Sequence, residues 1–311
     1  MDQQDNKAPG QRSNGRPTGL GLSRIHWRRL PGALLLAGFL VSAGFPFVVM
    51  LSISLQDMDQ IYAAGLKLLP DPFVFSNYKV ALSTGNWLRY LGNSLFTAGV
   101  ATILSLFINA MTGYAFARIQ FPWRRSLFIL VLIGMMIPTQ VTLVPLFIMI
   151  RHFPLAGGNN LFGQGGTGLV DTLTGLILPY AAGSFGVFMC RQFYVLFPAE
   201  LDEAAKIDGC TRFRTFLAIY LPLSLPVLGA LAVLKFTGAW NEYTWPLVMT
   251  NAGSDRITTV QLALTRFRNE GEIFWNQLMA ATLTSSLVIL VIFLALQRYF
   301  VSGLLAGSVK E

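Results

Sequence analysis

The sequence is poor in charge. Only 12% of its 311 residues are Asp, Glu, Lys or Arg, where a soluble domain carries about 25%. Such a chain cannot clothe itself in hydrated side chains, and a surface that faces lipid cannot hydrate charge at all. Cysteine is scarce too. Cys190 and Cys210 are the two present, which implies no disulfide framework, and they read as small buried or idle thiols. The two histidines, His26 and His152, are too few and too far apart to assemble a metal site. No G-x-x-x-x-G-K-S/T motif occurs, so the chain does not cradle ATP phosphates by that route. No Ser/His/Asp constellation is visible, and the chain reads as non-catalytic, with no cofactor or metal of its own.

What fills the space is long apolar runs. Charge-free stretches cover Leu30–Gln56, Tyr90–Ala117, Ser126–Ile150, Thr172–Cys190, Thr215–Leu234 and Ile273–Gln297. A membrane-spanning helix needs roughly 20 apolar residues, so the expected fold class is an all-α integral membrane protein with six transmembrane helices. The spans are expected at about 30–55, 90–117, 126–150, 172–194, 221–249 and 273–297. With the N-terminus inside, fifteen of the 23 Lys and Arg fall on inner segments and seven on outer ones, with Lys235 inside a span. That asymmetry predicts both termini in the cytoplasm and a multi-pass protein of the cytoplasmic (inner) membrane. The net charge of +8 then reflects topology and anionic lipid at the inner face. The basic residues are divided among separate loops, which speaks against nucleic acid as a partner.

Residues 1–25 are rich in Gln, Asn, Gly, Pro and Arg and read as a disordered cytoplasmic tail. A transmembrane domain is expected over 26–300 and a short cytoplasmic C-terminal tail over 301–311. The apolar run from Leu30 is too long for a signal-peptide core, so the first span reads as an uncleaved anchor. Gln56–Arg89 is a polar loop long enough for a short amphipathic helix. In Ala156–Gly168, Gly163, Gly165 and Gly168 satisfy G-x-G-x-x-G. The flanking segments are spanning helices and not a βαβ unit, so a flexible outer loop is expected instead of a nucleotide site.

The polar island between the fourth and fifth spans is the most informative segment, a loop over 197–221. Pro198 suits a helix start. Glu200, Asp202 and Glu203 follow at the positive end of the helix dipole. Ala204 and Ala205 are strong helix formers with little bulk. Asp208 and Gly209 come where a helix would end in a left-handed residue, and Thr211 can cap the next helix. The expected object is a short helix lying along the membrane, a glycine corner, and a second helix that becomes the fifth span. Read from composition alone, it could equally be an ordinary amphipathic loop helix.

The spacing E-A-A-x3-G-x9-I-x-L-P is met by Glu203, Ala204, Ala205, Gly209, Ile219, Leu221 and Pro222. It resembles the EAA signature of permease subunits of ABC importers. Ala239–Leu247 (A-W-N-E-Y-T-W-P-L) and Gln297–Lys310 resemble carbohydrate permeases of the maltose type, in particular the six-span, MalG-like subunit. The resemblance covers roughly Leu30 to Lys310. It implies the type I ABC importer permease (MetI-like) fold, and import of a mono-, di- or oligosaccharide by alternating access. It implies as partners a second, MalF-like permease subunit, two ATPase subunits that bind ATP and Mg, and an extracytoplasmic solute-binding protein. Glu203, Ala204, Ala205, Asp208 and Gly209 would couple to the ATPase, and Gly303, Gly307 and Lys310 would reach it from the C-terminus.

Polar residues inside the spans complete the candidates. A lysine at the depth of Lys235 costs about 2.5–3.5 kcal/mol on insertion scales, so it should not face lipid. Lys235, Trp240, Asn241, Glu242, Tyr243 and Trp245 read either as a lining of the carbohydrate pathway or as a hydrogen-bonding cluster with the partner permease. Asn93, Asn109, Thr112 and Gln140 are expected to bond helix to helix, and Gly99, Gly113 and Gly134 to be close-packing positions. The alternative function is a secondary active transporter of a small polar solute. Such proteins carry arrays of midplane acids, which these spans lack.

Overall fold

A computed structural model describes residues 30–63, 68–251, 254–269 and 271–306. The expected N-terminal tail over 1–25, together with Gly307 and Lys310, lies outside these residues. The chain divides into two units, 1–47 and 48–311. The first contributes most of an uncharged helix, Leu30–Ser54.

Three helices are long and apolar enough to cross a membrane: Pro31–Ser54, Trp87–Arg118 and Trp275–Ala295. Three bent pairs of helices are also apolar enough when each is taken as one span. Arg124–Met136 meets Thr139–Arg151 at 109°, Leu173–Tyr180 meets Ser184–Val195 at 43°, and Arg212–Leu223 meets Leu225–Trp240 at 77°. The six apolar runs are therefore present, but half of them are broken rods. The cause is proline. Ile137 and Pro138 both take extended backbone, because a residue before proline is pushed out of the helical region. Pro179 sits in the last turn of the first half of span four, and Gly183 is extended beyond it. In span five, Ser224 leaves the helix between Pro222 and Pro226, where a proline ring clashes with the carbonyl four residues back. This span is also shorter than the expected 221–249: its helix stops at Trp240, and Thr244–Met249 forms a separate one. The last helix runs from Trp275 through Ala306, past the expected boundary at 300, and carries Gly303.

The second-span helix is the centre of the second unit and packs against spans four and five. Close approach to span four needs Gly113, where an added Cβ would stand 2.6 Å from Cys190 Cβ and 2.8 Å from the Arg191 backbone N. Gly134 has a similar role beside Ser184 Oγ, at 2.6 Å, whereas Gly99 has nothing within 4 Å; the expected close contact there does not occur within this chain. Because the obstacle at Gly113 includes backbone, Gly113→Val should overpack the contact by about 1–3 kcal/mol. A fall of several degrees in the thermal midpoint of the purified complex would register it; an unchanged midpoint would show that the two helices can part.

Buried Asn109 braces the break in span four. Its Oδ1 accepts the Gly183 N–H at 3.2 Å and its Nδ2 donates to Ser105 Oγ at 2.9 Å. Asn93 ties the second span to the loop before span six, donating to the carbonyls of Arg256 at 3.1 Å and Thr258 at 3.0 Å. In that loop Arg266 pairs with Asp255, and the Tyr90 hydroxyl donates to Asp255 Oδ2 at 2.8 Å. The Arg266 hydrogen bond holds the Asp255 carboxyl below the usual carboxylate range. Residues 268–269 and 272–273 pair as a minimal antiparallel ribbon.

The loop over Gln56–Arg89 holds two short helices, Met58–Tyr62 and Ser76–Ser83. The glycine-rich loop departs from the flexible segment expected. Asn159, 7% exposed, donates to the carbonyls of Arg151 at 2.9 Å and Phe153 at 3.1 Å, and accepts the Gly166 N–H at 2.8 Å. Gly157, Gly163 and Gly168 have positive φ and lie against backbone where no Cβ fits. Glycine here permits a tight knot and not a loose tether.

Candidate functional site

The loop after span four folds as its residue types dictate. A helix runs Glu200–Ile207, with Glu200, Asp202 and Glu203 in its first turn and Lys206 in its last, each charge placed to suit the dipole. Pro198 precedes it by two positions and is not its first residue. At the far end the Cys210 N–H bonds the Ala205 carbonyl at 2.9 Å, and the Gly209 N–H bonds that of Lys206 at 3.0 Å. This is the paired closure of a Schellman cap. Gly209 has φ +69°, and a Cβ there would meet nothing within 4 Å. Glycine is required at this corner by backbone conformation alone. Asp208 is the last residue before the corner. Thr211 opens the next helix by accepting the Arg214 N–H at 3.2 Å.

The two alanines of the signature do different jobs. Ala205 is 2% exposed and faces the protein; Ala204 is exposed, as are Glu203, Lys206 and Ile207. Ile207 is 87% exposed, an apolar side chain that its own chain leaves uncovered on a polar loop. Sequence reasoning passed over it, although it is the one large aliphatic residue in the run A-A-K-I-D-G. Leu221 is half-buried on the fifth span, and the five residues before it, Phe216–Tyr220, wind as a wider π-helical turn.

This helical foot stands on aromatic rings. Tyr114, Tyr194, Phe216 and Tyr220 share one buried cluster with Phe193 and Phe197 packed against it. Tyr220 is its hub, with ring centroids 4.7 Å from Tyr114 and 5.5 Å from both Tyr194 and Phe197. Arg118, the last residue of the second span, reaches the foot as an ion pair with Asp202 at 3.5 Å.

The polar residues chosen as a solute pathway are distributed differently from one another. Trp240 is 1% exposed, stacked on Phe236 at 5.8 Å, and belongs to the core. Trp245 is 2% exposed, and its Nε1 donates to the Gly175 carbonyl at 3.1 Å. Lys235 is half-buried with its Nζ against Gly183, where a Cβ would come within 2.5 Å of it. Asn241 and Tyr243 are exposed, and Asn241 Oδ1 accepts from Gln261 Nε2 at 3.2 Å. Glu242 caps the following short helix by accepting the Trp245 N–H at 3.1 Å.

Glu242 and Trp245 also line a cavity of about 260 Å³ together with Thr139, Gln140, Thr142, Tyr180 and Thr244. These residues come from the break in span three, the break in span four and the end of span five. Thus three discontinuities meet at one mainly apolar pocket, walled by Leu143, Leu146, Pro179 and aromatic rings, into which a few polar groups converge. Gln140, expected to bond a neighbouring helix, is exposed at this pocket.

Residues 109–305, from the middle of span two to the end of span six, match the family described as binding-protein-dependent transport system inner membrane component. The chain belongs to that family. It is 34% identical over 269 residues to the arabinooligosaccharides transport system permease protein AraQ of Bacillus subtilis, covering 86% of this chain and 90% of the relative. It is 31% identical to the sn-glycerol-3-phosphate transport system permease protein UgpE of Yersinia pestis, covering 84% and 90%. In fold it is similar to a chain in the crystal structure of a bacterial ABC transporter involved in the import of the acidic polysaccharide alginate. That likeness has a TM-score of 0.73 at 21% identity, over 87% of this chain and 95% of the other. The resemblance drawn from Glu203 to Pro222 therefore holds at the level of the family: this is a transport permease of the inner membrane.

Proposed function

We propose that the chain is one permease subunit of an ATP-driven ABC importer for a carbohydrate, and that the foot Glu200–Gly209 docks on a separate ATPase subunit. The observation that carries this reading is the foot itself: a capped helix, rigidly cornered at Gly209, that presents Ala204 and Ile207 outward from an otherwise membrane-embedded chain. Small and apolar side chains on an exposed helix permit another surface to approach and desolvate. In this reading both termini and the foot are cytoplasmic, and Gly303, Gly307 and Lys310 approach the ATPase as well. ATP and Mg are bound by the partner chains, and a second permease subunit completes the pathway. A solute-binding protein delivers the carbohydrate. Closure of the ATPase pair moves the foot and switches the side to which the pathway opens.

A cysteine at Ala204 should crosslink to the ATPase in the assembled complex. Uptake should vanish without the ATPase and survive a proton uncoupler. A foot labelled from outside the cell, or uptake that depends on the proton gradient, would end this reading and favour a secondary transporter.

The pocket supplies the solute contact in this account. Its hydroxyl, amide and carboxylate groups beside Tyr180 suit a polyhydroxylated ring, with hydrogen-bonding groups for the hydroxyls and the tyrosine ring for the C–H surfaces. A neutral hydrogen bond contributes about 1 kcal/mol. Gln140→Ala and Glu242→Gln should each raise the half-saturating concentration for uptake about 5-fold while complex yield stays constant; the Gln variant keeps an acceptor for the Trp245 N–H. A fall in complex yield with unchanged saturation would assign these groups to assembly.

A further inference from the structure

We propose that Arg118 is the positioning residue that carries movement of the foot into spans two, four and five. This rests on the reading of the foot as the ATPase docking element.

The guanidinium has five N–H donors in a rigid plane. Arg118 ends the Trp87–Arg118 helix, and its side chain is 13% exposed. Its Nη2 donates to the carbonyl of Phe197 at 2.5 Å and to that of Pro198 at 3.0 Å. Those two residues form the exit from span four, directly before the foot. Its Nε lies 3.5 Å from Asp202 Oδ2 in the foot's first turn. Its central carbon is 5.5 Å from the ring centroid of Tyr220, at the entry to span five. A single side chain thus touches the end of one span, the exit of a second, the foot and the entry of a third. The foot cannot shift relative to this junction without breaking charge-assisted hydrogen bonds in a half-buried site, or taking the spans with it.

The contact with Asp202 is unfinished. Arg118 Nε is buried and makes no hydrogen bond; the 3.5 Å separation is an ion pair only. Moving the foot by about half an ångström would bring the pair into hydrogen-bond range. In this proposal a push on the foot closes that gap and tightens the clamp. Lysine, a point charge without the planar fork, cannot serve both carbonyls and the carboxylate. A basic residue that only neutralised the helix end would need none of these contacts.

The test uses the complete transporter in lipid nanodiscs, with Cys210→Ser as background and buried Cys190 left in place. Ala204→Cys reports docking through its crosslink to the ATPase. Thr142→Cys in the pocket wall reports access to a water-soluble maleimide, with and without Mg–ATP and vanadate. With Arg118→Gln the crosslink and the complex yield should match those of the parent, while the nucleotide-driven change in labelling at 142 shrinks at least 10-fold. Arg118→Lys should fall in between. Asp202→Asn should shrink the response as well, and the Arg118→Gln/Asp202→Asn pair should be no worse than Arg118→Gln alone. A parent-level labelling response in Arg118→Gln, or one that falls only in step with complex yield, overturns the proposal. Loss of the crosslink in the parent itself would instead overturn the docking reading, and the proposal with it.

Discussion

Gly209→Pro should abolish coupled import. Proline holds φ near −65°, whereas Gly209 is at +69°, and proline also deletes the N–H that closes on the Lys206 carbonyl. The helix end cannot be made in this form, because proline can neither adopt the left-handed φ nor donate the closing hydrogen bond. Import should drop at least about 100-fold while the complex continues to hydrolyse ATP, because the ATPase chains are untouched. The open space around Gly209 sharpens this prediction. No neighbour lies within 4 Å of a Cβ, so Gly209→Ala bears only the left-handed backbone cost of about 1–2 kcal/mol. Asparagine, which enters that region more readily, should lie closest to wild type. Import per ATP hydrolysed should therefore rank Gly, Asn, Ala, Pro. A rank that followed side-chain volume would mean the corner is crowded in the complex, and wild-type import by the proline variant would refute the corner altogether.

The six crossings were legible because absence of charge over some twenty residues has one dominant physical cause. The breaks in spans three and four were not read, although Pro138 and Pro179 were in plain view. A hydropathy run sums over residues and is blind to direction, so a helix bent by 109° at Pro138 scores like a straight one. The same blindness hid the pocket, whose residues sit at the bends of spans three and four and just past the end of span five. Aromatic residues near Asn241 suggested a solute wall, yet Trp240 faces Phe236 in the core; one helical turn separates lining from packing, and composition does not resolve a turn. The foot was the opposite case. Its acids, alanines, glycine and threonine are each demanded by a different local rule, so the helix, corner and cap could be written down from residue types. Arg118 was read only as a positive charge at the inner membrane face, because its partners, the Phe197 and Pro198 carbonyls, lie about 80 residues away and are backbone. The glycine loop failed for a related reason: glycine content signals either a loose chain or a tightly folded one, and the deciding residue is Asn159, whose amide holds three backbone groups.

Ile207→Asp should separate the permease from its ATPase. Among the described residues no exposed large apolar side chain is more open than Ile207, at 87%. Most of its peers lie on spans, where lipid or a partner helix can cover them. Ile207 lies on a charged loop, where in the proposed reading the ATPase covers it. Full burial of an isoleucine contributes about 1.5–3 kcal/mol, and an unpaired carboxylate forced into the same place costs several more. Together these predict association with the ATPase weakened at least 1,000-fold, read by co-purification and by titration of the ATPase onto permease in nanodiscs. Ile207→Ala should lose only the apolar part, about 10- to 100-fold, and Ile207→Leu should bind as the parent does. The folding of the permease itself is not at stake, since the side chain buries almost nothing against its own chain; thermal unfolding of the Asp variant should match the parent. Retention of the ATPase by Ile207→Asp would show that the foot is gripped through Ala204 and its acidic first turn and not through this side chain.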